Sequence, residues 1–539
     1  MPPEPDPSLH HASVQGLAAI SAVPSDPPIA RQASGQGAPP GPLAAASLPQ
    51  TAPVLLALPE ENGDVAEAVV ATIGDDGRRR GRRGARIKTA YPDLTTGSVP
   101  RHVWKLAWPQ VAEGVLNIVD QMVDMVWAGR LPGGFRSLAG LGVAQTYTQF
   151  GMMLRGGLDQ SARAMLTRAV GAGNVPLANH IALQAFTLTA VYCLLLIVFG
   201  LLLTDVLIRV IGASEAVQAE AAMYMRIQFI GIGGMSFRMA SAAVLQSSGD
   251  VMTPLKATTA TRLVHIVLTP FLMFGWLGFP AFGLAGAALS GLLAQLVGAS
   301  INLFVLFRGG SHLRLTLRGY RVDFPILWQM LKIGAPASVA GVERGVSQLV
   351  LMAVVAPFGD VALAAFGLTR RMEMLANFGS MGIGQAAGIM VGQNLGAGRP
   401  ERARRAVAWA LVYAAAMKLI VAAVLLLIPV LLVIPFTREA EVVSLTADWL
   451  RILGLAAVFM GIGMVFQQSF NVAGDTVTVM VVTLVALVII ELPAAWLLSH
   501  PLGIGPLGTA WANVIGMVLR AALFVPVFFW GRWLRIKVI

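Results

Sequence analysis

Long apolar segments separated by short polar loops recur from about residue 103 almost to the C-terminus. A helix needs about 20 apolar residues to cross a bilayer, and twelve segments reach that length. The predicted spans are 103–128, 137–163, 180–203, 220–247, 254–276, 281–307, 325–356, 361–391, 403–434, 445–472, 476–498 and 505–530. The pattern therefore predicts an all-α polytopic membrane protein with twelve transmembrane helices.

The composition agrees with this prediction. Of the 539 residues, 56% are apolar and 12% are charged, and the mean hydropathy is +0.70. Soluble domains carry roughly 25% charged residues, so a soluble enzyme is excluded. The chain has one cysteine, Cys193, which lies inside a predicted span. A single cysteine excludes an intramolecular disulfide and a cysteine-based metal cluster.

The first 100 residues differ from the rest of the chain, because they hold 15 of the 31 prolines and no Phe or Trp. Such a segment cannot bury a core, so we expect a disordered tail. The run Arg78-Arg79-Arg80-Gly81-Arg82-Arg83 resembles a nucleic-acid or signal-like patch. It precedes the first span closely, however, which favours a cytoplasmic anchor; no nucleic acid is expected as a partner.

Lys and Arg residues alternate between the two sides of the predicted spans. One side holds Arg163, Arg168, Lys256, Arg308, Arg314, Arg318, Arg321, Arg399, Arg402, Arg404, Arg405, Arg532, Arg535 and Lys537. The loops of the other side carry few unbalanced positive charges. Both termini are therefore predicted to be cytoplasmic, in what we expect to be a bacterial inner membrane.

An internal repeat divides the chain into two halves. Gly171-Ala172-Gly173 recurs as Gly396-Ala397-Gly398, and Gly249-Asp250 recurs as Gly474-Asp475, both at a shift of 225. The repeat predicts two parallel six-helix bundles around a central cavity, an N-lobe at 101–320 and a C-lobe at 321–539. In transporters with such repeats, the substrate site lies at the repeat interface near the middle of the membrane.

The first predicted span carries a stripe of polar residues. Glu113, Asn117, Asp120 and Asp124 are spaced 4, 3 and 4 apart, which confines them to an arc of about 60° and a length of about 16 Å. Intramembrane carboxylates are costly and indicate function by default. A carboxylate that binds a proton and releases a cationic substrate would couple transport to a proton gradient. Alternatively, these oxygens could coordinate a sodium ion as the coupling ion. If the stripe is only structural, its side chains form hydrogen bonds to neighbouring helices.

Other intramembrane charges are weaker candidates. Glu343 and Glu373, with Asn377 on the same helix face as Glu373, are candidates for substrate or cation binding in the second half. Asp159 lies four residues from both Arg155 and Arg163, which predicts a structural ion pair. The role of Glu491 is open. The Gly249-Asp250 and Gly474-Asp475 pairs are predicted to end one helix and cap the next.

Apolar and aromatic residues near the stripe suit a flat lipophilic cation, because Met packs adaptably and aromatic faces attract cations. The candidates for substrate binding are Met125 and Tyr147, with Met122, Trp127 and Phe150 nearby. Ordinary packing inside the membrane explains the same residues equally well.

These features together resemble the MATE family of multidrug and toxic compound extrusion transporters. The resemblance is carried by Asp124-Met125-Val126-Trp127-Ala128-Gly129-Arg130-Leu131, Leu138-Ala139-Gly140-Leu141-Gly142, both Gly-Ala-Gly loops, Ser248-Gly249-Asp250-Val251-Met252-Thr253-Pro254 and Ala473-Gly474-Asp475-Thr476. It covers about 101–539. It implies export of organic cations or amphipathic drugs in exchange for protons or sodium ions, and it matches Asp124 to the family's acidic position in the first helix.

The chain also departs from the family pattern. Where some proton-coupled members have an Asp and an Asn in the fifth helix, this chain has Thr269 and His265. The acidic residue of the tenth helix in the sodium-coupled branch corresponds to an apolar stretch near Met460. Proton coupling through the first helix is preferred because it needs one titratable carboxylate, which His265 could assist.

Three other classes of protein fit parts of the sequence less well. A lipid-linked oligosaccharide flippase of the same superfamily would need a cationic cavity and often has fourteen spans. A membrane-embedded enzyme would need a nucleophile with a base or a metal cluster, and a non-transporting scaffold would not need a buried polar stripe. No phosphate-binding loop is present. We therefore predict a monomeric secondary transporter in the lipid bilayer, without enzyme activity, cofactor or resident metal.

Overall fold

Twelve long helices account for most of the residues that the structure describes. The computed structural model describes residues 93–130, 134–210 and 215–538, except for the side chains at 121–122, 124–125, 128–129, 134–150, 207–210, 215–221 and 378. The helices are α1 Val99–Gly129, α2 Gly134–Gly171, α3 Val175–Val210, α4 Glu215–Ser247, α5 Met252–Phe274, α6 Leu284–Arg308, α7 Phe324–Val355, α8 Asp360–Gly396, α9 Pro400–Leu427, α10 Ala440–Ala473, α11 Thr476–Ser499 and α12 Leu507–Trp530. Short helical pieces at Trp276–Gly278, Ala356–Phe358, Pro429–Val433 and Arg532–Leu534 complete the described secondary structure.

The predicted all-α fold is confirmed, and each predicted span falls on one of these helices. Within the described residues, nine helices are long and apolar enough to cross a membrane. In α1, α2 and α8 several charged or amide side chains are buried, among them Gln110, Asp120, Arg155, Gln393 and Asn394.

The packing of the helices repeats between the two halves. In the first half α4 contacts α2, α3 and α6, and in the second half α10 contacts α8, α9 and α12. The halves meet through two equivalent pairs, α1 with α8 and α2 with α7. This pattern confirms two six-helix bundles of like orientation. The exact division at residues 320 and 321 stays a prediction.

The helix α11 is not uniform. Its segment Val485–Glu491 is a π-helix, set between α-helical Thr476–Leu484 and Leu492–Ser499. A π-helical turn inside an α-helix is uncommon and is frequently found at functional sites. It ends at Glu491, one of the buried carboxylates of the second half.

Both glycines of the Gly-Asp pairs end a helix, as the sequence predicts, but only Asp250 caps the next helix. Asp475 makes no capping bond to a described backbone N–H and accepts from the hydroxyl of Thr478 at 2.6 Å. Gly249 and Gly474 end α4 and α10 with φ values of 95° and 93°, in the left-handed region that favours glycine. The carboxylate of Asp250 accepts hydrogen bonds from the backbone N–H groups of Met252 and Thr253 at 3.1 and 3.0 Å, and so caps the start of α5.

One end of the bundle gathers the Lys- and Arg-rich segments, and we call it the basic face. It is formed by the α2–α3 loop, the α6–α7 linker, the α8–α9 loop and residues 531–538. Contacts between these segments show that they share one end: Arg168 donates to the carbonyl oxygen of Ile536 at 3.1 Å, and Gln184 donates to that of Arg321 at 2.6 Å.

The predicted tail, 1–100, needs a correction at its end. Residues 1–92 lie outside the described part of the chain, but residues 93–100 are packed against the basic face. Leu94 is buried, and the guanidinium of Arg402 donates to the carbonyl oxygen of Thr96 at 2.6 Å. The composition of the segment concealed this contact, because its binding partner is 300 residues away in the second half.

Candidate ion-coupling and substrate site

The centre of the candidate site is Asp120 on α1, which is only 6% exposed. One carboxylate oxygen pairs with the guanidinium of Arg262 on α5. The other lies 2.8 Å from Nδ1 of His265, one turn further along α5. The carboxylate therefore faces the interior of the first half and has a partner on each of its oxygens.

Arg262 ties a second residue of the stripe into the same cluster. Its guanidinium donates to Oδ1 of Asn117 at 2.7 Å, so one cation contacts both Asn117 and Asp120. Its Nε is buried and has no hydrogen-bond partner among the described residues. Sequence reasoning missed Arg262. The available signal was the polar face of the fifth span, where Thr258, Arg262, His265 and Thr269 recur at helical spacing.

Glu113 lies further along α1 in a separate cluster. Its Oε2 is 3.4 Å from Nε2 of Gln246 on α4, and Oε1 of Gln246 accepts from Arg163 on α2 at 2.6 Å. The Oε1 atom of Glu113 is buried without a hydrogen-bond partner among the described residues. The stripe thus supplies two groups of contacts at different depths.

The remaining first-half candidates lie partly outside the description. Asp124 and Met125 belong to α1 and Tyr147 to α2, but their side chains are outside the described part of the structure. Trp127 is described, and its ring packs edge-on against Phe274 and Trp276 at 5.8 and 6.1 Å between ring centroids. A role of Trp127 in substrate binding stays a prediction.

Two further arginines line the interior of the first half. Arg155 pairs with Asp159 through both guanidinium nitrogens at 2.6 and 2.9 Å, which confirms the predicted ion pair. The predicted second partner, Arg163, contacts Gln246 instead, because α4 packs against that turn of α2. Arg238 donates to Gln295 at 2.6 Å.

The second half contains its own buried ionic cluster. A guanidinium nitrogen of Arg520 on α12 lies 3.8 Å from Glu343 on α7 and 3.9 Å from Glu491 at the end of the π-helix. Both carboxylates are 6% exposed. Oε1 of Glu343 has no hydrogen-bond partner among the described residues. One arginine thus stands between two carboxylates.

The other second-half candidates have structural partners. Glu373 pairs with Arg370 one turn earlier on α8 at 2.6 Å. Oδ1 of Asn377 accepts from the ammonium of Lys418 on α9 at 2.8 Å, and Lys418 is fully buried. The structure therefore does not bring Glu373 and Asn377 into contact with the Glu343 cluster by any hydrogen bond described.

The contacts of Asp120 limit what else can bind at its carboxylate. Protonating Asp120 removes the counter-charge of Arg262 and so weakens the link between α1 and α5. A sodium ion at this carboxylate would have to displace Arg262 or His265, because both oxygens are already engaged.

Comparison with known proteins agrees with this architecture. The MatE family model matches residues 109–271 and 336–497, one segment in each half and together more than half of the chain. A probable multidrug resistance protein NorM from Thermotoga maritima is 25% identical over 458 residues, covering 84% of this chain and 97% of the relative. A FAD transporter from Shewanella oneidensis is 26% identical over 415 residues, covering 76% and 90%.

Solved structures show the same fold. A multidrug resistance MATE family transporter in an outward-facing conformation has a TM-score of 0.76 at 23% identity and covers 81% of this chain and 96% of its own. A MOP superfamily transporter from Pyrococcus furiosus, described as having a binding pocket of reverse polarity, has the same TM-score, identity and coverage.

Proposed function

Because the chain belongs to the MatE family, we propose that it is a secondary-active antiporter that exports organic cations or amphipathic drugs in exchange for protons, with sodium as the alternative ion. As a member of this family it is an integral membrane transporter and not an enzyme, as the sequence predicts. The coupling ion, the substrate and the roles of individual residues are the content of the proposal.

The observation that carries the proposal is the buried pair of Asp120 and Arg262, which joins α1 to α5. A proton that binds Asp120 from outside the cell neutralises the carboxylate and frees Arg262. The two helices can then separate or shift, which changes the affinity of the cavity for its substrate. Glu113 and Asp124 on the same helix are the further candidates for this step.

We place the basic face in the cytoplasm, because its loops hold the excess of Lys and Arg. The halves are in contact near this face: Gln160 of α2 donates to Gln468 of α10 at 2.6 Å, and Gln393 of α8 donates to the carbonyl oxygen of Ser247 at 2.8 Å. This packing supports a conformation closed to the cytoplasm.

A second candidate function is transport of an anionic substrate that binds together with a proton. Asp120 is bracketed by Arg262 and His265, so an organic cation would be repelled unless these groups move. Once Asp120 takes up a proton, the freed guanidinium of Arg262 suits a carboxylate or phosphate group. The similarity to the Shewanella oneidensis FAD transporter, whose namesake substrate contains a pyrophosphate, supports testing this class.

The test uses purified full-length protein in proteoliposomes. The vesicles carry a fluorescent lipophilic cation or FAD, and a proton gradient and a sodium gradient are imposed separately. Extrusion of the cation driven by the proton gradient, and lost in Asp120→Asn or Asp124→Asn, would support the primary proposal. Movement of FAD alone, in the same direction as the proton flux, would favour the second candidate, and flux driven only by sodium would refute proton coupling.

The matched control is Asp448→Asn. Asp448 pairs with Arg451 at 2.7 Å on α10, and the two side chains are 46% and 48% exposed. The substitution is the same, but it removes a carboxylate that is not buried. We expect it to leave the proton-driven flux at the native level.

A further inference from the structure

The first glycine of each Gly-Ala-Gly loop lies against the last turn of the opposite helix at the basic face. A Cβ added to Gly171, the last residue of α2, would lie 2.0 Å from the carbonyl oxygen of Gln393 on α8. A Cβ added to Gly396, the last residue of α8, would lie 2.2 Å from the carbonyl oxygen of Arg168 on α2. Both residue pairs, Gly171 with Gly396 and Arg168 with Gln393, are related by the 225-residue repeat. The two contacts are therefore equivalent and reciprocal.

A second reciprocal contact lies deeper along the same helices. A Cβ on Gly157 of α2 would lie 2.2 Å from the carbonyl oxygen of Gly334 on α7. A Cβ on Gly382 of α8 would lie 2.7 Å from the backbone nitrogen of Val111 on α1. Gly157 and Gly382 are again 225 positions apart. The halves thus approach each other, backbone to backbone, at two levels.

These contacts differ from ordinary side-chain packing. The atoms that oppose Gly171 and Gly396 belong to helix backbones and cannot rotate away, so an added methyl group must push the halves apart. Hydrogen bonds between the halves accompany the contact: Arg168 donates to the carbonyl oxygens of Ala473 and Ile536, each at 3.1 Å. Closure at this face consequently depends on the absence of two side chains.

We propose that Gly171 and Gly396 form a two-fold lock that closes the basic face, and that the separation of these two helix ends opens the space between the halves to that face. The proposal rests on the proposed transport function in one respect: it takes opening at the basic face to be a step of transport. The lock itself can be tested without transport, so a failure of one proposal is distinguishable from a failure of the other.

The test measures access to a buried reporter at the junction of the halves. Ser247 is fully buried, its carbonyl oxygen accepts from Gln393, and its hydroxyl has no hydrogen-bond partner among the described residues. Ser247→Cys therefore removes no hydrogen bond made by the hydroxyl in the described structure. It is introduced together with Cys193→Ala, which removes the only native cysteine. The rate of labelling by a membrane-impermeant maleimide, supplied at the basic face, reports opening.

We expect Gly171→Ala and Gly396→Ala each to raise the labelling rate by about tenfold, which corresponds to about 1.4 kcal/mol less stability of the closed state. The matched controls are Gly156→Ala on α2 and Gly463→Ala on α10. These glycines are also helical, but an added Cβ meets nothing within 4 Å. Both controls should label at the native rate.

Native labelling rates in both lock variants would overturn the proposal. So would an equal increase in the controls, because the effect would then come from helix propensity and not from the contact. If the glycine variants do not yield a monodisperse protein, Arg168→Gln removes the bonds to Ala473 and Ile536 without adding volume. Faster labelling of that variant supports the lock, and native labelling overturns it.

Discussion

The pair of Asp120 and Arg262 should be energetically coupled, and a double-mutant cycle measures the coupling directly. The variants are Asp120→Asn, Arg262→Gln and the double substitution. The two side chains are 8% and 11% exposed, so solvent screens their interaction little. Removing one partner leaves the other buried without this counter-charge, with only His265 beside Asp120 or Asn117 beside Arg262. Such a loss costs about 3–5 kcal/mol, or a factor of at least about 100 in the folded-to-unfolded ratio.

The double variant leaves no unpaired charge in this pair and should recover part of that loss. We expect an interaction free energy of about 1–3 kcal/mol from the cycle. The assay is reversible unfolding of the purified protein in mixed micelles, followed by tryptophan fluorescence. The exposed pair of Asp448 and Arg451 serves as the control cycle, with an expected interaction of about 0.5 kcal/mol or less.

The same variants separate stability from coupling. The double variant should regain stability and yet lack proton-driven extrusion, because it retains neither the carboxylate that binds the proton nor the cation that responds. An interaction free energy below about 0.5 kcal/mol would refute the structural argument. Native proton-driven transport in the double variant would refute the assignment of the coupling step to this pair.

Three further predictions concern other parts of the chain. The double variant Glu343→Gln and Glu491→Gln should lower the free energy of unfolding, in the same assay, by more than the sum of the two single variants. The reason is that only the double variant leaves Arg520 without a carboxylate partner. Losses that simply add would contradict this prediction. Asp323 accepts a hydrogen bond from His180, which lowers the pKa of its carboxyl, aided by the backbone N–H of Ile326. Its stabilising effect is therefore present above the usual Asp pKa of about 3.9 and is lost as the pH falls through the lowered value, so the melting temperatures of the native chain and Asp323→Asn should converge on acidification. Cys193→Ala should leave transport at the native rate, because the buried thiol is unpaired with another cysteine; a large loss would point to an unrecognised role.

The fold was predictable because long apolar segments determine where helices cross a membrane. Each predicted span matches a helix, with ends that differ by up to eight residues, as at the end of α2. Those ends extend past the apolar segment because polar turns such as Arg168 to Gly171 are stabilised by the opposite half and not by lipid. Hydropathy contains no information on such contacts.

The partners of the candidate residues were not predictable in the same way. The spacing of Asp120 and Asn117 placed them on one face of α1, but Arg262 lies 142 positions away and reaches them only through the packing of α1 on α5. A search restricted to acidic residues could not find it. The spacing of Arg163 likewise predicted a bond to Asp159, and tertiary packing gave it Gln246 instead.

Arg262 changes the question that a substrate assay must answer. A stripe of carboxylates considered alone favours a cationic substrate, because an ionised carboxylate inside a membrane is costly unless a positive charge lies beside it. In the folded protein Asp120 already has one in Arg262, and Arg155 neutralises Asp159. A cation can therefore bind Asp120 only by displacing a buried guanidinium, whereas a proton on Asp120 exposes that guanidinium to an anion. Protons should therefore compete with a cationic substrate, so that its affinity falls as the pH falls. Protons should instead favour binding of an anionic substrate, so that its affinity rises as the pH falls. The pH dependence of substrate affinity thus distinguishes the two classes without knowledge of the natural substrate.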